Sequence, residues 1–355
     1  MERPTGLWPA PGTGWQKRWT LSVTLRDIAQ SAHVSISTVS RVLNDYPYVS
    51  EATRQAVCQA AQALGYPPGK SQGTLLSARS VLLINCHPDW QHEQGVGVLA
   101  VDRRLVFGIQ SVLEPQNVPT RVQSVGMEPE KAQQFADDPD ISGLILLGGI
   151  VNQDFVLNLQ AAGLPFVVAG ARVRSLHVNC VTADYAHGAQ EATAHLIARG
   201  RRQIGLVNGP PTTTSSAAKY EGFRLALALH GLGFSPSWVV VSEEFATEPG
   251  YRQTLRLLEQ APDLDAIVYA GDRMAVGGLR AIKESGRRVP DDVAITGFYD
   301  DEIAPFADPP LTSVRVDMHM MGRIAARRLL MLLEGTDEDA WCVTIPASLV
   351  VRKSA

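Results

Sequence analysis

VTLRDIAQSAHVSISTVSRVLN, residues 23–44, reads as two short helices joined by a tight turn. Thr24 precedes Leu25, Ile28, Ala29 and Ala32, an i, i+3, i+4, i+7 apolar stripe, and Asp27 follows at capping-box spacing. Ser35 then caps a second helix with Val39, Val42 and Leu43 facing inward and Ile36, Ser37, Ser40 and Arg41 facing outward. The join, SAHV, has the length a helix-turn-helix permits. His33 takes the place where glycine is easiest, and a positive φ there costs on the order of 1 kcal/mol against glycine. A third helix follows, capped by Ser50, with Ala56, Val57, Ala60, Ala61 and Leu64 as its buried face and Gly65 as its stop. Such a head presents its second helix to a DNA major groove.

At 355 residues with 45% hydrophobic content, the chain is long enough for two or three domains. The net charge of −4 does not point to nucleic acid, but its distribution does. Residues 1–79 hold eight Lys and Arg against four Asp and Glu, and the remainder holds 24 against 32. Cys58, Cys86, Cys180 and Cys342 form no CxxC pair and no short spacing of a zinc site or disulfide framework, which suits a reducing cytoplasm. No run of apolar residues is long enough for a membrane span, and the N-terminus lacks a secretory pattern. The chain has no GxSxG, no HExxH and no credible triad, so an enzyme is not expected. The pairs Gly148–Gly149 and Gly277–Gly278 do not fit a phosphate loop.

From Ser80 onward, short apolar runs alternate with helical patterns: VLLIN then RLVFGIQSVL, ISGLILLG then FVLNLQAA, PFVVAG then AQEATAHLIA. The alternation continues with QIGLVNG, WVVVS, DAIVYAG and VAITGF, separated by YEGFRLALAL, YRQTLRLLE and MAVGGLRAIKE. This is the mark of parallel sheets covered on both faces, with enough strands for two doubly wound lobes. Ligand loops then lie at the carboxyl ends of the strands, where two facing lobes make a cleft.

The 23–44 run, with Val49, Ser50 and ALGY at residues 63–66, resembles the headpiece of the lactose/galactose repressor (LacI/GalR) family. The later segments HLIARGRRQIGLVNG, SSAAKYEGFRLALALHGL and the long DAIVYAGDRMAVGG to PPLTSV run carry the same resemblance, so it covers residues 23–350. The implied fold is an all-α helix-turn-helix headpiece plus an α/β core of two doubly wound parallel-sheet lobes, like periplasmic binding proteins. Residues 1–22, rich in Pro, Gly and Trp and without periodicity, read as a flexible arm. The implied division of the rest is a headpiece, 23–69, a hinge, 70–79, and an effector-binding and dimerisation core, 80–355. The arm's simpler reading is a plain extension; the alternative is a basic arm whose Lys17, Arg18 and Trp19 touch DNA. The chain is expected to pass between the lobes near Asp184, near Thr312 and after the helix at residues 318–334.

By the same resemblance the partners are double-stranded operator DNA, a second copy of the chain on a pseudo-palindromic site, and a small-molecule effector: a sugar, a sugar derivative or a nucleoside-like ring. Thr24, Ser35, Ile36, Ser37, Thr38, Ser40, Arg41 and Asn44 form the expected DNA-facing set. Ile36, Ser37 and Arg41 suit base edges, and Ser35, Thr38 and Ser40 suit phosphates. Leu75 matches the family's intercalating leucine. Gln72 and Gly73 depart from the usual helix formers, since glycine costs about 1 kcal/mol in a helix, so the hinge is expected to fold only on DNA.

The expected effector set is Trp90, Lys219, Phe245, Asp272, Tyr299 and Asp300, and it departs from the family repeatedly. Lys219 replaces an Arg and loses its fork, Gly271 replaces an Asn before Asp272, and Tyr299 replaces an Asp before Asp300. Plainer alternatives stand beside these: Lys219 as a solvated residue, Tyr299 as packing, Trp90 as loop surface. Residues 86–106 are expected to be a polar lid; His87, Asp89, His92 and Glu93 match no metal-site spacing, and no metal or cofactor is expected. The competing functions are a constitutive DNA-binding regulator whose cleft has lost its ligand and a solute-binding protein.

Overall fold

Helical periodicity builds one unit of the chain and β-rich alternation the other. The computed structural model describes residues 25–35, 38, 39, 42, 49–64, 80–85, 99–149, 151–173, 176–337 and 339–355. Its two units divide between Leu75 and Leu76. In the first, α1 (Leu25–Ser31) and α2 (Glu51–Ala63) surround helical residues Thr38, Val39 and Val42. Ile28, Ala29, Val39, Val42, Val57, Ala60 and Ala61 form one core. His33 does take a positive φ, 52°, in the turn. Ser50 caps α2 by accepting from Thr53 N. Ala56 and Leu64, expected inside, are exposed within this unit. The tight pairing of α2 with α1 uses only the Val57, Ala60 and Ala61 stripe, a narrower arc than five residues would need.

The second unit carries twelve strands among the described residues: β1 (Ser80–Asn85), β2 (Thr120–Ser124), β3 (Ile141–Leu147), β4 (Phe166–Ala169), β5 (Cys180–Ala183), β6 (Ile204–Asn208), β7 (Val239–Val241), β8 (Ala266–Tyr269), β9 (Ala294–Tyr299), β10 (Thr312–Val316), β11 (Cys342–Ile345) and β12 (Ala347–Val350). They form two sheets, ordered β11-β5-β4-β3-β1-β2 and β12-β10-β9-β8-β6-β7. Every pairing is parallel except β10 with β12. The first lobe is covered by α3 (Leu99–Leu113), α4 (Lys131–Asp137), α5 (Gln153–Ala161) and α10 (Met318–Leu333). The second is covered by α6 (Tyr185–Ala198), α7 (Thr214–Leu229), α8 (Thr247–Gln260) and α9 (Asp272–Glu284). Central strands such as β3 and β9 bury both faces because helices lie on each.

The chain crosses between lobes where β5 feeds α6, where β10 feeds α10, and where β11 feeds β12. The first two crossings are aspartates that cap the next helix: Asp184 accepts from His187 N, and Asp317 accepts from Met320 N. The third is Pro346. The second crossing thus falls at the far end of β10 from Thr312, and the third comes after β11 rather than directly after α10.

Helix pairs approach closely through glycine. A Cβ on Gly277 in α9 would overlap the Thr247 carbonyl of α8, and one on Gly278 would overlap the Tyr269 ring. This glycine pair therefore serves packing. Residues 99–106, expected in a lid, are the first half of α3; residues 86–98, with Trp90, lie outside the described residues.

Candidate functional site

In the headpiece, Ser35 and Thr38 are the members of the expected DNA-facing set that fall among the described residues. Ser35 Oγ accepts from Thr38 N at 3.1 Å and lies 2.7 Å from Thr38 Oγ1, so it caps the second helix as its position demands. Thr24, Ile36, Ser37, Ser40, Arg41, Asn44 and Leu75 lie outside the described residues.

In the core, the carboxyl ends of β6, β7, β8 and β9 converge on Lys219. Buried Asn208 ends β6 and donates to Ser216 O at 3.1 Å, while Thr213 caps α7 by accepting from Ser216 N, and these bonds aim the helix start at the cleft. Lys219 lies on the inner face of α7 and is 1% exposed. Its Nζ donates to Ala270 O at 2.7 Å and to the Tyr299 hydroxyl at 3.0 Å. The same nitrogen stands 4.2 Å from the Phe298 and Tyr299 ring centroids, 5.2 Å from Phe245 and 5.4 Å from Tyr185. Aromatic faces thus replace a carboxylate as its nearest company. Burial holds the ammonium well below its ordinary range, and the Asp272 charge opposes that only in part. Lys219 is not a solvated surface residue. Phe245 is half-buried, and a Cβ on Gly209 would overlap its ring, whereas one on Gly271 would stand 3.5 Å from it. The ring lies over the bare backbone left where the family resemblance leads one to expect Asn.

Asp272, at the start of α9, is held by donors other than Lys219. Its carboxylate accepts from Asp301 N at 2.6 Å and from Ser313 Oγ at 2.6 Å, and Ser313 Oγ accepts from Asp300 N at 3.1 Å. Burial pushes its pKa up to about 7, against the pull of those two hydrogen bonds. The turn it braces is strained, with φ of 92° at Tyr299 and 47° at Asp300. Non-glycine residues in this region cost about 1–3 kcal/mol and persist where their surroundings over-determine them. The Asp300 carboxylate is held by Arg315 at 2.8 Å and by Arg352 at 2.7 Å. Both carboxylates of the expected effector set therefore engage protein partners.

The sequence reading missed Arg104, in the segment taken as a lid. From α3 in the first lobe it grips the strained turn of the second. Its Nη2 donates to Asp301 Oδ1 at 2.7 Å and to Tyr299 O at 3.3 Å, and its Nη1 donates to Asp300 O at 3.3 Å. Thr214 N donates to Gly149 O at 3.4 Å and the Tyr185 hydroxyl to Gly170 O at 3.2 Å, two further links across the cleft. The doublet of arginines at 103–104 was the available signal. Arg103 pairs with Glu302 where both side chains are largely exposed, 50% and 76%. Arg104→Ala should therefore cost about 1–3 kcal/mol of stability, while Arg103→Ala should cost under about 1 kcal/mol. Equal melting temperatures for the two variants would refute the clamp.

Among the described residues, no group of three or more His, Cys, Asp or Glu is placed to hold a metal ion, and no helix is long and apolar enough to cross a membrane.

Family models match both parts of the chain: bacterial regulatory proteins of the lacI family over residues 24–69, and a periplasmic binding protein-like domain over residues 193–355. The HTH-type transcriptional regulator CelR of Thermobifida fusca is 32% identical over 344 residues, spanning 93% of this chain and 98% of its own. Catabolite control protein A of Priestia megaterium is 27% identical, spanning 94% of this chain and 99% of its own. The structure of a CelR–cellobiose complex has a TM-score of 0.71 at 30% identity and covers 94% of this chain and 100% of that one. The lac repressor dimer bound to operator and the anti-inducer ONPF has a TM-score of 0.68 at 28% identity, covering 94% and 98%. A helix-turn-helix head and a two-lobed core of this build define a DNA-binding transcription regulator. The chain belongs to the LacI family of bacterial regulatory proteins, whose members similar to it are regulators and repressors rather than enzymes.

Proposed function

We propose that the chain is an effector-responsive repressor that works in the cytoplasm as a homodimer on a pseudo-palindromic operator. Two heads set Ile36, Ser37 and Arg41 into successive major grooves roughly 34 Å apart, with Ser35, Thr38 and Ser40 on phosphates and paired Leu75 wedges between. Thr24 and Asn44 complete the contact surface. Ile36→Ala should change preference at one base position by about 1–3 kcal/mol in an operator selection. An equal loss on every sequence would reassign Ile36 to backbone positioning.

The observation that carries the effector reading is the buried Lys219 amine ringed by Tyr185, Phe245, Phe298 and Tyr299 at the strand ends of one lobe. Two of the amine's three donors are taken by protein oxygens, and aromatic faces stack on the apolar faces of pyranose rings. A sugar of disaccharide size, in keeping with the cellobiose complex of CelR, is the class this lining suits best. Melting the full chain against disaccharides, monosaccharides and nucleosides tests it. Ligand at 100 times its Kd adds about 2.7 kcal/mol, and each kcal/mol moves a domain of this size by roughly 2–4 °C. A shift with nucleosides alone would replace the sugar reading.

The engagement of Asp272 and Asp300 by protein groups favours a second reading, a constitutive regulator with no ligand. Silence across that panel, with operator binding intact, is its expected result.

A further inference from the structure

β5 and β11 run side by side, and their register sets Cys180 opposite Cys342. Sequence spacing hid the pair; the fold brings the two sulfurs to 2.7 Å of each other. The register is firmly held. Cys180 N donates to Trp341 O at 2.7 Å, and Asn179 Oδ1 accepts from Trp341 N at 3.0 Å and from Arg328 Nε at 2.6 Å. The buried Arg328 guanidinium lies 4.4 Å from the Trp341 ring centroid and pairs with Asp337 at 3.1 Å. Adjacent strands lie about 4.7–4.9 Å apart, inside the roughly 4.4–6.8 Å between Cα atoms that a disulfide spans.

The two thiols differ in access. Cys342, on the edge strand, is exposed, and Cys180 is buried. Burial first, then the neighbouring thiol, pushes Cys180 up to about 12, so Cys342 is the sulfur that meets an oxidant. Both strands lead straight into lobe crossings, at Asp184 and Pro346, and Asp184 N donates to Ile345 O at 3.0 Å between them.

We propose that Cys180 and Cys342 are a peroxide-responsive dithiol that closes to a reversible disulfide and fastens the two strands feeding those crossings. The Cys342 thiolate attacks one oxygen of a hydroperoxide; the O–O bond breaks, Cys342 becomes a sulfenic acid, and for hydrogen peroxide the leaving oxygen departs as water with the proton Cys342 released. The Cys180 sulfur then attacks the Cys342 sulfur. The S–S bond forms, the S–O bond breaks, and the departing hydroxide takes the Cys180 proton as a second water. Two thiols are oxidised by two electrons while one peroxide is reduced, and a small thiol restores the pair by exchange.

The test uses the full chain, reduced, desalted and treated with hydrogen peroxide, followed by thiol titration under denaturing conditions, peptide mapping and amide hydrogen exchange. The expected product joins the Cys180 and Cys342 peptides, two hydrogens lighter than their sum, and dithiothreitol reverses it. Cys180→Ser and Cys342→Ser should lack it, and Cys58→Ser should form it as the parent does. Exchange of the peptide holding Asp184 should slow at least about tenfold on oxidation, and only where the link forms. Survival of both thiols, or Cys342 found as sulfinic acid or joined to a second chain, would overturn the disulfide. A link that leaves exchange at Asp184 unchanged would overturn its action on the crossings.

Discussion

Asp272→Ala is expected to lower the stability of the core by about 3–5 kcal/mol, a fall of roughly 6–20 °C in Tm. The carboxylate is nearly fully buried and accepts from Asp301 N and Ser313 Oγ, both at 2.6 Å. Without it two donors lose their acceptor inside the protein, and the turn at Tyr299 and Asp300 loses the brace that keeps both at positive φ. Asp272→Asn retains an acceptor and should cost less, and it isolates the titration. The folded carboxyl keeps its proton up to about 7, whereas the unfolded one releases it near 3.8. Between those values the folded state binds more protons, so this group's contribution is complete below about pH 4 and is lost as pH rises through about 7. Denaturant titrations across that window should show the parent losing stability relative to Asp272→Asn. A gap that stays flat with pH would assign the raised pKa no role.

Lys219→Ala is expected to abolish ligand stabilisation and to cost about 2–3 kcal/mol, or roughly 4–12 °C. The truncation opens a cavity among four rings and strips Ala270 O and the Tyr299 hydroxyl of a donor. Relief from burying an amine offsets part of the loss, which places the cost near the low end for large-to-small changes. Lys219→Met keeps the volume, so its stability should stay within about 1.5 kcal/mol of the parent while the ligand response disappears. Its pH behaviour carries the opposite sign to that of Asp272. The folded amine releases its proton well below 10.5, so the unfolded state binds more protons in between and the parent gains stability as pH rises toward 10.5. Lys219→Met lacks that gain, and its standing relative to the parent should fall as pH rises toward 10.5. A ligand shift surviving in either variant would remove Lys219 from the effector site.

The headpiece was legible because its signals are local: a cap, an apolar stripe and a short turn lie within residues 23–44. The central strands were legible for a similar reason, since ISGLILL and AITGFY bury both faces and read as apolar runs. β2, with TRVQS mostly exposed, and the four-residue β11 and β12 are short edge strands without such runs, so only their pairing identifies them. Lys219, Phe245 and Tyr299 were picked out one at a time, but that the Lys219 amine meets the Tyr299 hydroxyl depends on the sheet order that sets β6, β8 and β9 side by side. Arg104 offered only its doublet with Arg103 as a cue. Its partners lie in the other lobe, and a charged pair at a helix start looks the same in sequence whether it faces water or grips a turn.

The most direct measurement is the operator affinity of the full chain, by fluorescence anisotropy on a palindrome selected from random DNA, with and without a ligand found by melting. Coupling of about 1–3 kcal/mol between cleft and DNA gives a roughly 5- to 150-fold change in Kd, and that change should vanish in Lys219→Met. An operator affinity that stays the same when the cleft is saturated would contradict an effector-responsive regulator.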